Sequence, residues 1–215
     1  MKETIQIDIV SDVSCPWCVI GYSSIMQAIG RLTPKVECEI SWKPFELNPK
    51  MSAEGQQLEA HLNEKYGSSH AEMEQTKNMI TERGEALGFE FNFKEDGRIY
   101  NTFNAHRLLF WARQFNKQTE LKLALFELYF TDGGNPDNPE DMLGAVTKVG
   151  LLAAEARKII ESDQYAKEIR EEEAKYQAMG VNMVPTFIIN NKYVITGGMP
   201  VENFVEKLEQ IVEAG

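Results

Sequence analysis

The chain has 215 residues, with 22 Lys+Arg against 33 Asp+Glu, 43% hydrophobic and 26% charged residues. That is the composition of a globular chain able to bury a core, either one large domain or one domain carrying an insertion. A net charge of −11 repels phosphate backbones, so no nucleic acid is expected as a partner. No membrane partner is expected either: the longest apolar runs, such as LLFWA at 108–112, fall far short of the roughly 18–20 residues of a spanning helix. The opening MKETIQIDIV lacks the apolar block of a secretory leader, so the expected location is cytoplasmic.

Residues 4–10 (TIQIDIV) alternate with Ile at 5, 7 and 9 and predict a strand. The next stretch, DVSCPWCVIGYSSIMQAIGRL, has the apolar spacing of a helix lying on a sheet, and 36–47 (VECEISWKPFEL) predicts a second strand with Pro44 near its end. Strand, helix, strand at this spacing is a βαβ unit with parallel strands. From about 56 to 162 the sequence predicts helices and no strand. The helical segments are 56–66, 70–87 closed by Gly88, 101–116, 119–131, 139–149 opened by Asn138-Pro139, and 152–161. Residues 163–179 predict a charged helix whose Glu171-Glu172-Glu173 run reads as a solvated face. TFII (186–189), a turn at Asn190-Asn191 and YVIT (193–196) predict a β-hairpin, and 200–213 an amphipathic last helix with Phe204, Leu208 and Ile211 inward. The predicted fold class is therefore α/β: βαβ, an all-helical insertion, then αββα. Residues 1–55 and 163–215 would form one domain and 56–162 the insertion, with a cleft at the seam.

Three cysteines in a reducing compartment are not a disulfide scaffold, yet Cys15 and Cys18 stand in CPWC at the strand-to-helix junction. With Pro16 at the first helical position, Cys15 is the expected N-cap. There its sulfur would sense backbone N–H groups and the positive end of the helix, both of which favour a thiolate. Cys18, one turn on, would be shielded but within reach of Cys15, giving one attacking and one resolving sulfur. A zinc site would need about four ligands, and only Cys38 and the scattered His61, His70 and His106 remain to supply them, so no metal is expected. A structural Cys15–Cys18 bridge would close too small a loop to constrain the unfolded chain. Val184-Pro185, just before TFII, is compatible with either a cis or a trans peptide bond.

The stretches SDVSCPWCVIG (11–21), YNTFNAHRLLFWA (100–112) and VPTFIINNKYVITGG (184–198) resemble the DsbA family of the thioredoxin superfamily, in particular its FrnE-type branch of cytoplasmic DsbA-like oxidoreductases. The resemblance spans essentially the whole chain. It implies a thioredoxin fold interrupted by a helical domain, with Cys15 as nucleophile, Cys18 as resolving cysteine and Pro185 as the cis-proline beside the active sulfur. Pro16, Trp17, Val184 and His106 would then adjoin substrate. Two departures bear on the groove: Met183 stands where this branch often has Gly, and Gly197-Gly198-Met199 where it has Gly-Ala-Gln.

His106 would either steady the Cys15 thiolate or bond to neighbouring backbone, the second being preferred. Trp17 would offer substrate an apolar surface or simply cover the pair. Cys38 reads as a small core residue, and Phe103, Leu109, Phe110 and Trp111 as core of the helical block. Strongly oxidising DsbA proteins carry a His between their cysteines where this chain has Trp17, which implies a less stabilised thiolate and a more reducing pair. The expected function is thiol–disulfide exchange on protein or low-molecular-weight thiol substrates, with no resident cofactor and with glutathione as a candidate substrate or co-substrate. The alternative is a glutathione-dependent isomerase or transferase related to 2-hydroxychromene-2-carboxylate isomerase and the kappa-class glutathione transferases, which typically have Ser at the position of Cys15.

Overall fold

A computed structural model describes residues 3–32 and 36–214. The alternating Ile segment is β1 (Glu3–Ser11), followed by α1 (Pro16–Leu32) and β2 (Val36–Pro44). β1 and β2 run parallel, with Ile7 opposite Ile40. The two-residue β3 (Gln56–Gln57) leads into α2 (Leu58–Tyr66), α3 (His70–Leu87) and the equally short β4 (Arg98–Ile99). Then come α4 (Phe103–Ala112), a 3-10 turn (Arg113–Phe115), α5 (Gln118–Phe130), α6 (Pro139–Lys148) and α7 (Ala153–Ile160). The chain closes with α8 (Ala166–Ala178), the hairpin β5 (Thr186–Ile189) and β6 (Tyr193–Thr196), and α9 (Val201–Ala214).

The local chemistry explains the boundaries. Ser69 and Glu72 form a capping box at the start of α3, and Gly88 ends it in the left-handed region at φ 83°. Asn138 accepts N–H groups from Glu140 and Asp141, with Pro139 in the first turn of α6. Asn190 and Asn191, at φ 51° and 54°, make the hairpin turn; Asn190 also donates its N–H to Gln6 at 2.9 Å and accepts from Gln6 N through Oδ1 at 2.9 Å. Three expectations need correction. The helical region does contain strand, since β3 and β4 pair antiparallel, Gln56 opposite Ile99 and Gln57 opposite Arg98; two residues are too few to show a period. The helix over 101–116 ends at Ala112 and tightens into a 3-10 turn stopped by Asn116 at φ 54°. In the acidic run only Glu171 is solvated in the expected way: Glu172 pairs with Arg113 at 2.8 Å, and Glu173 is buried against Arg170 at 2.7 Å.

The sheet order is β2-β1-β5-β6, with β5 antiparallel to both β1 and β6. One face of β1 (Ile5, Ile7, Ile9) packs with Ile20 and Ile25 of α1, Phe187 of β5, and Phe204 and Leu208 of α9. The other face places Val10 and Ile188 with Tyr176 of α8 and Val181. A second apolar cluster joins α4 to α7 through Leu108, Leu125, Met142 and Ile159, and includes Val13 just before the CPWC turn. Helix α5 serves both cores, giving Leu121 and Leu125 to the second and Phe126 and Phe130 to the first. As expected, Leu109 and Trp111 are core residues. Phe103 and Phe110 instead carry the Arg170 and Arg113 guanidinium groups, at 3.8 and 4.9 Å from their ring centres.

Gly21 of α1 marks the closest approach between this helix and the segment before β5: an added Cβ would stand 2.9 Å from Pro185 Cγ and 3.1 Å from Phe187 Cζ. Substituting Gly21→Ala is expected to destabilise the protein by about 2 kcal/mol through overpacking, and denaturant unfolding monitored by circular dichroism would measure it.

Candidate active site

Cys15 caps α1, which starts at Pro16 as expected. Its N–H donates to Asp12 O at 3.3 Å and its carbonyl accepts from Cys18 N at 3.0 Å. Both cysteines carry free thiols. Cys15 is 3% exposed and Cys18 is fully buried, so neither is an open surface thiol. They differ in what they face: Cys15 lines a cavity of about 680 Å³ together with Pro16, Trp17, Met183 and Val184, whereas Cys18 does not reach it. The Val184–Pro185 bond is cis. The Cys15 thiol points its Sγ at the Val184 carbonyl oxygen, 3.8 Å away, and Pro185 lies over Gly21 on the same helix. The structure thus gathers Cys15, Cys18, Pro16, Trp17, Val184 and Pro185 at one junction. Arg83 stacks on Trp17 at 5.3 Å and donates to Gly198 O at 2.7 Å, tying α3 to the Gly197-Gly198 loop.

His106 lies elsewhere. It is buried, and its Nε2, 3.1 Å from Phe45 O and 3.6 Å from Asp12 Oδ1, must carry the proton it donates. It is absent from the residues lining the large cavity, so the backbone-bonded alternative describes it and contact with substrate does not. Cys38 is half-buried against the sheet core, and burial pushes its thiol up.

The electrostatics of the pair reverse one expectation. Cys15 is raised well above the usual thiol range by the hydrogen bond it gives Cys18, with burial adding to the effect and the Cys18 N–H opposing it. For Cys18 burial works upward too. The Cys15 hydrogen bond, the Lys122 ammonium, the Ser11 hydroxyl and the Asp12 N–H outweigh it and bring Cys18 below the usual range. The two thiols titrate as a pair, and their surroundings favour Cys18 over Cys15 as the first to ionise. Capping α1 does not by itself make Cys15 the thiolate, because the N-terminal position is buried and the Lys122 charge favours the thiolate on Cys18.

The charged groups supplying this field escaped the sequence reading. Asp12 is fully buried and accepts from Leu47 N at 2.7 Å and Ser14 N at 3.3 Å. Burial opposes its charge, but His106, the Leu47 N–H and Lys122 prevail and hold its carboxyl below the usual range. Lys122 is also fully buried, with its ammonium over the rings of Trp42 and Phe126 at 5.3 and 4.9 Å. The signal for Lys122 was its position on the buried face of α5 with Gln118, Leu125 and Phe126. An apolar periodicity ordinarily carries a lysine outward, and here it does not. Facing the cavity, Lys65 donates to Leu47 O and Asn48 Oδ1 at 2.9 and 2.8 Å, and Arg98 to Glu54 O and Gly55 O at 3.0 Å each. These cations are held by carbonyl oxygens. Among the described residues the one grouping with metal-ligand spacing is Glu59, His70 and Glu74, and Lys77 already pairs with both carboxylates. No helix among them is long and apolar enough to cross a membrane.

The chain matches the family of DSBA-like thioredoxin domains over residues 6–209. It belongs to that family and has its thioredoxin fold with a helical insertion. It is 28% identical over 194 residues to the uncharacterized protein YwbO of Bacillus subtilis, covering 89% of this chain and 90% of that protein. Among solved structures it is similar to a probable DsbA oxidoreductase from Streptomyces coelicolor, with TM-score 0.88 and 26% identity over 96% of this chain and 89% of that one. It also shares the fold of the cytosolic disulfide reductase DsbM from Pseudomonas aeruginosa, solved with GSH, at TM-score 0.66 and 13% identity over 97% and 99% of the two chains.

The burial of Asp12 generates a stability prediction. Its folded-state carboxyl ionises below its unfolded value of about 3.9, so its stabilisation is present above that pH and lost as the pH falls through and below it. Asp12→Asn is expected to cost about 3 kcal/mol at pH 7, because Lys122 and His106 lose their anion. The deficit against wild type should shrink in urea melts taken progressively below pH 4.

Proposed function

We propose that this protein is a thiol–disulfide oxidoreductase in which Cys15 attacks a substrate disulfide and Cys18 resolves the mixed disulfide. The observation that supports it is the asymmetry of the pair: Cys15 alone opens on the cavity, against the Val184 carbonyl, while Cys18 stands behind it with the stabilised charge. As a substrate sulfur approaches, the Cys15 proton passes to Cys18 and the Cys15 thiolate attacks. The Cys15–substrate S–S bond forms, the substrate's own S–S bond breaks, and the first substrate thiolate leaves. Cys18 then loses its proton and attacks Cys15 Sγ, releasing the second thiolate. The substrate disulfide is reduced, the dithiol is oxidised, and the two leaving thiolates take up the proton that Cys18 gives up and one more from solvent. The reverse sequence oxidises a substrate dithiol.

Pro16, Trp17, Val184 and Pro185 would form the contact surface for substrate. The cavity and its carbonyl-held Lys65 and Arg98 favour a compact, carboxylate-bearing thiol such as glutathione, and DsbM of the same fold was solved with GSH. Residues 1–55 and 163–215 make up the thioredoxin-like part and 56–162 the insertion that roofs the cavity, in a cytoplasmic setting where the pair rests as a dithiol. The glutathione-dependent isomerase or transferase alternative needs only one thiol-activating group, and the second sulfur behind Cys15 would then have no role.

Incubated with an excess of glutathione disulfide or a disulfide-bonded peptide, Cys18→Ala is expected to accumulate a stable mixed disulfide at Cys15, and Cys15→Ala to accumulate none. Both variants should lose turnover by at least about a hundredfold, as two members of one chemical unit do. Full retention of activity in Cys15→Ser would favour the isomerase or transferase reading.

A further inference from the structure

We propose that Lys122 is a positioning residue of the active site, a cation carried on α5 of the helical insertion that holds Cys18 as thiolate whenever Cys18 attacks or departs. The inference rests on the exchange reaction proposed above, and it assigns a role to a residue outside the CPWC turn and the segment before β5.

The geometry carries it. A lysine almost never sits fully buried without a compensating partner, and Lys122 is 0% exposed within the apolar packing of α5 against β2. Trp42 and Phe126 present ring faces to its ammonium at 5.3 and 4.9 Å, which lowers the cost of keeping the charge. The groups whose charges reach it are Cys18 and Cys15 at the start of α1 and Asp12 at the end of β1. On its other side a small void is lined by His106, Lys43 and Arg113. Arg113 pairs with Glu172, Lys43 lies 3.4 Å from Asp8, and His106 donates to Phe45 O. Ser11 is a second, independent pointer. Its hydroxyl is buried with no hydrogen-bond partner, and it favours charge on Cys18. A hydroxyl left free at a buried sulfur is a donor waiting for an anion. Burial brings the Lys122 ammonium down to about 8, against the pull of Cys18, Asp12 and Cys15, so it still carries most of its charge at neutral pH.

The chemical consequence follows from exchange kinetics. In resolution, Cys18 must be anionic to attack Cys15 Sγ. In the opposite direction, when an incoming thiolate attacks Cys15 of the disulfide, the Cys15–Cys18 bond breaks with its electron pair moving to Cys18, and a stabilised leaving thiolate departs faster. Lys122 transfers no proton or electron in either step. It lowers the energy of the state in which Cys18 bears the charge, and thereby favours the reduced form.

The test uses the full-length protein. In Lys122→Met, which keeps length and removes the charge, the pH midpoint of thiolate absorbance should rise by about one unit. Release of the second thiol from the Cys15 mixed disulfide at pH 7 should slow about tenfold, with the gap closing as the pH approaches the new midpoint. The reduction potential should fall by about 30 mV, the equivalent of that factor for a two-electron couple. An unchanged thiolate midpoint and potential in a folded Lys122→Met would overturn the proposal. Should that variant fail to fold, the wild-type protein decides: Lys122 Nζ, followed by NMR, should titrate at higher pH in the dithiol form than in the disulfide form, since the coupling is reciprocal. Equal titration in both forms would overturn it. Both readouts follow charge at Cys18 without any substrate, so they are separate from the exchange reading, which fails if Cys18→Ala forms no mixed disulfide at Cys15.

Discussion

The Cys15 sulfur meets the Val184 carbonyl at 3.8 Å, between residues 169 positions apart in the chain, and the rest of the site depends on that meeting. It requires β1 to end where β5 begins, which the antiparallel pairing of Val10 with Thr186 provides. It requires α1 to approach the Pro185 segment without a side chain between them, which Gly21 provides. It also requires the chain after β1 to turn at once into a helix, so that Cys15 caps α1 and Cys18 falls behind it. Hydrophobic burial holds the frame through the Ile ladder of β1 against α1 and α9, while the few hydrogen bonds at the junction select its geometry.

The junction is buried, and that sets the electrostatic problem. A sulfur that changes charge inside apolar packing needs its counter-charges in place beforehand, because water cannot supply them. Lys122 from α5 supplies such a charge and Ser11 from β1 a hydroxyl dipole, while the Asp12 carboxylate in the loop after β1, with His106 of α4 beside it, opposes charge on Cys15. The helical insertion therefore does more than roof a cavity: α4 places His106 beside Asp12, and α5 carries a cation whose charge reaches the resolving sulfur. The thiolate-stabilising cation that Trp17 cannot offer comes from α5, so the dipeptide between the cysteines is only part of what sets the redox character of the pair.

Much of the framework was readable from local patterns. The alternation of Ile5, Ile7 and Ile9, the Asn138-Pro139 cap, Gly88 and the Asn190-Asn191 turn each have a one-residue physical reason, and their elements fall where that reason places them. CPWC and Val184-Pro185 likewise marked the site. What escaped was long-range. β3 and β4 are too short to show a period, and Glu172 and Glu173 are paired by Arg113 and Arg170 in a way that no spacing along α8 reveals. Lys122 sits on the inward face of an apolar helix, where the ordinary rule moves a lysine outward. His106 bonds the Phe45 backbone as the preferred reading held, but the Asp12 carboxylate beside it, 94 positions away, was not visible in the sequence. The relative charge of the two sulfurs was misjudged for the same reason: the helix start is local and visible, while the competing cation belongs to a segment more than 100 residues on.

The central claim is that Cys15 and Cys18 form one reversible two-electron couple. It is tested most directly by equilibrating the protein across glutathione redox buffers, quenching with acid and mapping the disulfide by mass spectrometry. The account predicts a single Cys15–Cys18 bridge, with Cys38 free, whose fraction follows the ratio of squared glutathione to glutathione disulfide. Cys15 and Cys18 remaining free thiols across that range, or a bridge that forms through Cys38 instead, would contradict it.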